Sequence, residues 1–328
     1  MVSLVSMPTT KQPPRVFAIV PCYRERSRIM AVLAAFDAAV SNIIVVDDGC
    51  PDATGRHVVE SCRDPRVEVL FHERNQGVGG ATLTGYWRAL ELGADIIVKI
   101  DGDGQMDPRF ISTLVRPILD GRADYAKGNR FYLLEGVSGM PALRLIGNLA
   151  LSFASKLSSG YWRVFDPTNG FTAIHARVAQ LLPRRGIDFG YFFESDMLFN
   201  LNLLRAVVID VPMKAVYGDE RSKLSIPKVM GPFLWKHLRN LGWRIAYSYF
   251  IRDFSIASVE LVVGLVSFTF GTMFGLFRWY DSIATGIPAA TGVVMLSAVT
   301  FLLGAYLLIG FLNFDIQNQP ETPLHLNL

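Results

Sequence analysis

Between Arg15 and about Pro212, short apolar runs rich in β-branched residues alternate with longer segments whose apolar positions recur at helical spacing. "VFAIV", "NIIVV", "VEVLF" and "DIIVKI" have the length and composition of strands, and "SRIMAVLAAFDAAV" and "ATLTGYWRALELG" have the period of helices. The alternation predicts an α/β fold, a mainly parallel sheet with helices on both faces. Strands that are apolar almost throughout fit a sheet covered on both sides.

The pattern changes after this region. Ile256 to Phe277 and Ile287 to Phe311 are apolar stretches, each long enough to cross a hydrocarbon core of about 30 Å. They predict two transmembrane helices joined by "RWYDSIATG", a hairpin that returns the tail to its starting side; a buried hairpin of a soluble protein is the rival reading. Lys228, Lys236, Arg239, Arg244 and Arg252 precede the first span and only Arg278 lies in the connection, so the positive-inside rule puts the large domain and the tail in the cytoplasm. The segment 226–253 mixes aromatic with basic residues and reads as interfacial helices on anionic headgroups, or as an amphipathic helix packed on the domain. Glu260 falls inside the first span, where an ionisable group is often functional; near the cytoplasmic end it can instead snorkel or meet a polar helix neighbour. The expected organisation is a loose arm (1–14), a large α/β domain (15–225), interfacial helices (226–253), a transmembrane hairpin (254–312) and a cytoplasmic tail (313–328).

Composition narrows the function. A formal net charge of +3 over 328 residues, with no basic stripe interleaved with aromatics, argues against a nucleic-acid partner. Cys22, Cys50 and Cys62 have neither the even count of a disulfide framework nor a zinc spacing, and read as cytosolic thiols. No apolar segment of signal-peptide length opens the chain.

The candidate chemistry starts at "ADIIVKIDGDGQMDP", where three aspartates follow an apolar run. Carboxylates at i, i+2 repel unless water or a cation separates them, so a divalent metal is one explanation and an acidic turn capping the next helix is the other. An EF-hand is excluded, because the positions for its Gly and Glu hold Met106 and Ser112. "DDGCPD" after "IIVV" is a second acidic cluster, and both fall at carboxyl ends of predicted strands, where such sheets bind ligands. The glycine run "NQGVGGATLTG" fails the dinucleotide fingerprint at Thr82, leaving close approach to a ligand or close helix packing.

Taken in order, "IVPCYRE", "VVDDGCPDATG", "DGDGQMDP", "KGNR", "DPTNGF" and "YGDERSKL" resemble the motifs of family 2 glycosyltransferases with the GT-A fold. Within that family they resemble the polyprenyl-phosphate sugar transferases related to dolichol-phosphate mannose synthase, and the two spans resemble its bacterial membrane-anchored branch. The resemblance implies transfer, with inversion, from a nucleotide-diphosphate sugar to a polyprenyl phosphate of undecaprenyl type. It further implies a multi-pass protein of the inner (cytoplasmic) membrane, a homo-oligomer with a tetramer as one form.

By the same resemblance, Asp101, Asp103 and Gln105 would hold Mg²⁺ or Mn²⁺, and hard oxygen donors suit these ions. Pro21, Tyr23, Glu25, Asp47, Asp48 and Asp52 would border the donor's base and ribose. Arg24 and Cys50 depart from the family's usual Asn and Ser. Arg130 and Arg144 would meet phosphate groups, and Ser222 and Lys223 would belong to a loop over the diphosphate, with Arg221 in place of a small residue. Asp166 would orient the acceptor or take its proton, so that Asp103, Asp166, Arg130 and Lys223 form the expected catalytic set. Glu194 and Asp196 stand where other relatives carry a base, and on a helix they do not share a face. Asp107 reads as a helix cap. A processive polysaccharide synthase predicts a Q-x-x-R-W motif and more spans, which the sequence lacks; a non-catalytic membrane scaffold would be expected to have lost its acidic ligands.

Overall fold

The computed structural model describes residues 13–132, 142–213 and 226–328, without the side chains of 142–146 and 226–229. Strands β1 (Val16–Cys22), β2 (Asn42–Asp47), β3 (Val67–Phe71), β4 (Ile96–Lys99), β5 (Tyr125–Asn129), β6 (Thr172–His175) and β7 (Val208–Pro212) form one sheet. Their order is β3-β2-β1-β4-β6-β5-β7. Helices α1 (Ile29–Ala34), α2 (Thr54–Ser61), α3 (Val78–Glu91) and α4 (Ile111–Leu119) connect the first five strands in turn. α5 (Ala142–Ser159) follows β5, while α6 (Ala176–Ala179) and α7 (Phe193–Leu203) lead from β6 to β7.

The expected mainly parallel sheet is present, with β6 running against both β4 and β5. The chain leaves β5 at its carboxyl end and re-enters the sheet from that same edge, so β6 must run the other way. β1 is buried along its whole length, as its unbroken apolar run predicts. β3, at the sheet margin, is only partly covered. The glycine run answers to packing: a Cβ at Gly85 of α3 would overlap Ile19 of β1, and one at Gly79 would overlap the carbonyl of Asp188.

Contacts divide the chain into two compact units. The first holds the sheet and the last residues, 322–328. There the buried carboxylate of Asp124 accepts the backbone N–H groups of Val207, Leu324 and His325.

The second unit contains 153–162 and the chain from α8 (Ile226–Ala246) through α9 (Ile256–Thr285) and α10 (Thr291–Gln317). α9 and α10 are long and apolar enough to cross a membrane, and few of their residues are buried. A hairpin forming the core of a soluble protein would be covered. An added Cβ at Gly271 would stand 2.5 Å from Phe301 N, so small residues let the two backbones approach. Glu260 lays its carboxylate against Gly310 of α10, with Oε2 at 3.2 Å from a Cβ built there. The expected connection "RWYDSIATG" remains helical to Thr285, supported by Arg278 pairing with Asp281 at 3.1 Å, and Gly286 ends it at a φ of 68°.

α8 has inverted polarity. His237, Asn240 and Arg244 are buried, whereas Trp235 is 68% and Trp243 58% exposed. Arg244 and Asp315 of α10 are joined by two bonds, at 2.6 and 3.1 Å. Tyr249 OH and Trp162 Nε1 donate to the same carboxylate, so this buried charge is paired and its acceptors are occupied.

Candidate functional site

β1, β2, β4, β5 and β7 end at one edge of the sheet, where β6 begins. Strand order reverses about β1 and β4, and loops leaving neighbouring strands in opposite directions open a crevice there. The described candidate residues of the first unit lie towards this edge.

Pro21 is buried within β1, and Tyr23, just beyond it, is 39% exposed. Arg24 adopts a φ of 63° and sets its guanidinium over the Tyr23 ring at 5.3 Å. Its backbone N–H donates to Cys50 Sγ at 2.9 Å, so the two positions that depart from the family pattern meet. Glu25 N donates to Thr54 Oγ1 at 3.3 Å, tying this loop to the one after β2.

Asp47, which ends β2, and Asp48 hold backbone. Asp47 accepts from Cys50 N at 2.7 Å and Gly55 N at 2.6 Å, which shapes the turn into α2. Asp48 accepts from Gln76 N and Gly77 N, both at 2.8 Å, and meets His72 Nδ1 at 2.7 Å. Asp52 accepts from Cys50 Sγ and Thr54 Oγ1; burial raises its carboxyl, but these bonds outweigh it and hold Asp52 below the usual carboxylate range.

Beyond β4 the acidic run divides. Asp107 is the cap, accepting Arg109 N at 3.0 Å at the start of a short 3₁₀ turn. Asp103 Oδ1 accepts Gln105 N at 2.9 Å within the turn. Asp101 Oδ1 accepts from Lys99 Nζ at 2.8 Å, and the same ammonium reaches Glu194 of α7 at 3.1 Å. Lys99 is 1% exposed. Its burial disfavours the charge, but the two carboxylates outweigh that and hold the ammonium protonated well above its ordinary range. Gly170 leaves the space this arrangement needs: a Cβ there would overlap Lys99 Nζ and stand 2.6 Å from Asp101 Oδ2.

Among the described residues no three His, Cys, Asp or Glu side chains cluster as a self-sufficient metal cage. Asp101, Asp103 and Gln105 follow β4 in one turn as a set of oxygen-bearing side chains, and Gly170 leaves space beside Asp101 Oδ2. That set fits a hard divalent ion taking the rest of its shell from phosphates and water.

Arg130, just past β5, grips Asp166, donating through Nε and Nη2 at 2.8 Å each. Asp166 is 2% exposed and has a φ of 41°, a left-handed backbone on a residue with a side chain. Burial raises its carboxyl, but Arg130 and Lys127 outweigh this and keep it ionised below the usual range. The pair is a fork against a carboxylate, a geometry that orients the guanidinium. The side chain of Arg144, and Ser222 and Lys223 entirely, lie outside the described residues.

α7 separates its two acids as helical spacing requires. Glu194 turns to Lys99, and Asp196 Oδ2 accepts Asp188 N at 2.8 Å. Sequence reasoning missed Lys99, Lys127, Gly170 and Asp210. The signal available was a lysine closing each of two otherwise apolar strand segments, "IIVK" and "YAK", where a buried charge demands a partner.

The sequence profile described as Glycosyl transferase family 2 matches residues 17–182. The UDP-N-acetylglucosamine–dolichyl-phosphate N-acetylglucosaminyltransferase of Methanococcus voltae is 32% identical over 218 residues, covering 62% of this chain and 86% of its own. The undecaprenyl-phosphate mannosyltransferase of Micrococcus luteus is 31% identical over 216 residues, covering 64% and 88%. Among solved structures, glucosyl-3-phosphoglycerate synthase from Mycobacterium tuberculosis, in complex with Mn²⁺, UDP and glucosyl-3-phosphoglycerate, aligns with a TM-score of 0.52 at 21% identity. That alignment covers 70% of this chain and 80% of the other, and at this identity it shows the shared fold.

Proposed function

The chain belongs to glycosyl transferase family 2, and from that premise we propose that it transfers a sugar, with inversion, from a nucleotide-diphosphate sugar to a polyprenyl phosphate. The observation that carries the reading is the fork of Arg130 on Asp166, at the same sheet edge as Asp101 and Asp103. Guanidinium and hard carboxylates are the two kinds of group that phosphates and their counter-ions require.

Pro21, Tyr23, Glu25 and the loop held by Asp47, Asp48 and Asp52 border the donor's base and ribose. Asp101, Asp103 and Gln105 would hold Mg²⁺ or Mn²⁺, which when bound would supply positive charge to the departing diphosphate. Arg130, aimed by Asp166, meets a phosphate, with Arg144, Ser222 and Lys223 as further contacts. Asp166, ionised and gripped by Arg130, orients rather than deprotonates. The acceptor needs no strong base: a phosphate monoester is largely ionised at neutral pH and reacts once placed in line with the anomeric carbon.

The second unit supports a lipid acceptor. Exposed Trp235 and Trp243 on a helix that buries Arg244 and His237 suit a seat in the headgroup layer, and α9 with α10 suit a bilayer anchor. We assign the catalytic segment 15–225 to the cytoplasmic face of the inner membrane, 226–253 to the interface, and an undecaprenyl-type phosphate as acceptor. The test is incorporation of radiolabelled sugar from a panel of nucleotide sugars into undecaprenyl phosphate in membranes. The expected result is transfer that needs Mg²⁺ or Mn²⁺ and is lost in Asp103→Ala; no incorporation from any donor by folded, metal-supplied protein refutes the reading.

A further inference from the structure

Asp210 of β7 stands beside Lys127 of β5 in the parallel register. It belongs to none of the motifs on which the resemblance rests. Its Oδ2 accepts two bonds of 2.8 Å, from Phe165 N and from Asn129 Nδ2. Phe165 immediately precedes Asp166, and Asn129 immediately precedes Arg130. Asn129 also accepts Phe131 N at 2.9 Å, so its side chain spans the backbone on the far side of Arg130. Lys127 works from the other end of the same loop: its ammonium donates to the Asn169 carbonyl, and Asn169 Nδ2 donates to Gly128 O at 2.7 Å.

We propose that Asp210, with Lys127 beside it, is a positioning residue that braces segment 165–169 so that Asp166 keeps its left-handed backbone and aims Arg130. The brace is a demanding arrangement to retain. Among the described residues Asp210 Oδ1 is closed to solvent without a hydrogen-bond partner, a feature that calls for a reason in a native fold. Burial lifts the Asp210 carboxyl to about 6 against Lys127, the cation facing it, while Asp166 pushes the same way as burial. Lys127 itself is lowered to about 8 by burial, with Asp166, Asp210 and Glu194 opposing and Arg130 adding to the fall. A strained φ on a residue with a side chain persists only where its surroundings over-determine it, and here both ends of the loop are held.

The inference rests on the reading of Arg130 as a phosphate-handling group, and its test has one arm that does not. In the transfer assay, Asp210→Ala should lower kcat/KM at least roughly tenfold. Asp210→Asn, whose carboxamide oxygen keeps both N–H bonds, should restore most of it. In an Arg130→Ala background Asp210→Ala should add less than about twofold, because both act through one group. An undiminished kcat/KM in Asp210→Ala, or a full additional loss on top of Arg130→Ala, overturns the proposal. Hydrogen exchange of the Phe165 amide reads the brace without turnover: faster exchange in Asp210→Ala than in wild type or Asp210→Asn is expected. Equal protection in all three overturns it even if the wild type proves not to be a transferase.

Discussion

His325 places its Nδ1 2.7 Å from the Asp124 carboxylate, joining residues 201 positions apart in the chain. Its ring stacks on His175 with centroids 4.1 Å apart. The last residues are therefore a packed part of the first unit, and Asp124 is 0% exposed beneath them.

Removing Leu324–Leu328 takes the donors of Leu324 and His325 from that buried carboxylate and should cost about 1–3 kcal/mol. The loss is read as a fall in thermal midpoint. It should also be pH-dependent. Burial first, and then His325, lower His175 from 6.5 to about 4. A histidine whose folded pKa is depressed contributes stability that is present above its ordinary pKa and is lost as the pH falls towards 4. The midpoint should decline over that window, and less steeply in His175→Gln.

Lys99→Met should destabilise the first unit by roughly 3–5 kcal/mol, because Glu194 and Asp101 lose the cation between them. Adding Glu194→Gln should recover part of the loss. Chemical denaturation of the two single variants and the double variant measures that coupling.

Gly170→Ala sets a methyl against Lys99 Nζ and the Asp101 carboxylate. Sugar transfer should fall about a hundredfold, the range expected when reacting groups are displaced by about 1 Å. Circular dichroism should be unchanged, and a variant with full activity would show that the clearance above Asp101 is not used.

Asp315→Ala leaves the Arg244 guanidinium buried and unpaired and removes the acceptor of Tyr249 and Trp162. The second unit should lose about 3 kcal/mol or more, seen as a lower melting temperature in detergent. Arg244→Met with Asp315→Leu should melt closer to wild type than Asp315→Ala, since an apolar pair leaves no orphaned charge.

Several elements were legible in the sequence by itself. β1, β2, β3 and β4 lie on the four apolar runs that predicted them; α9 contains the first predicted span, and α10 covers the second from Thr291 onward, its first four residues, 287–290, preceding the helix. These are local properties: a run's length and period state whether a segment must be covered on both faces, on one, or by lipid. Motif order carried the family for the same reason, since each motif is contiguous.

What only the tertiary structure decided is how distant polar groups pair. The antiparallel entry of β6 puts Gly170 over Asp101. The packing of α7 brings Glu194 to Lys99 across 95 residues, and β7 beside β5 brings Asp210 to Asn129 across 81. The inverted face of α8 and the seat of His325 on Asp124 arise in the same way. A charge in an apolar run announces that it needs a partner, because leaving it alone in a low dielectric is too costly. Strand order and helix packing choose which partner it gets, and those depend on the whole chain folding together.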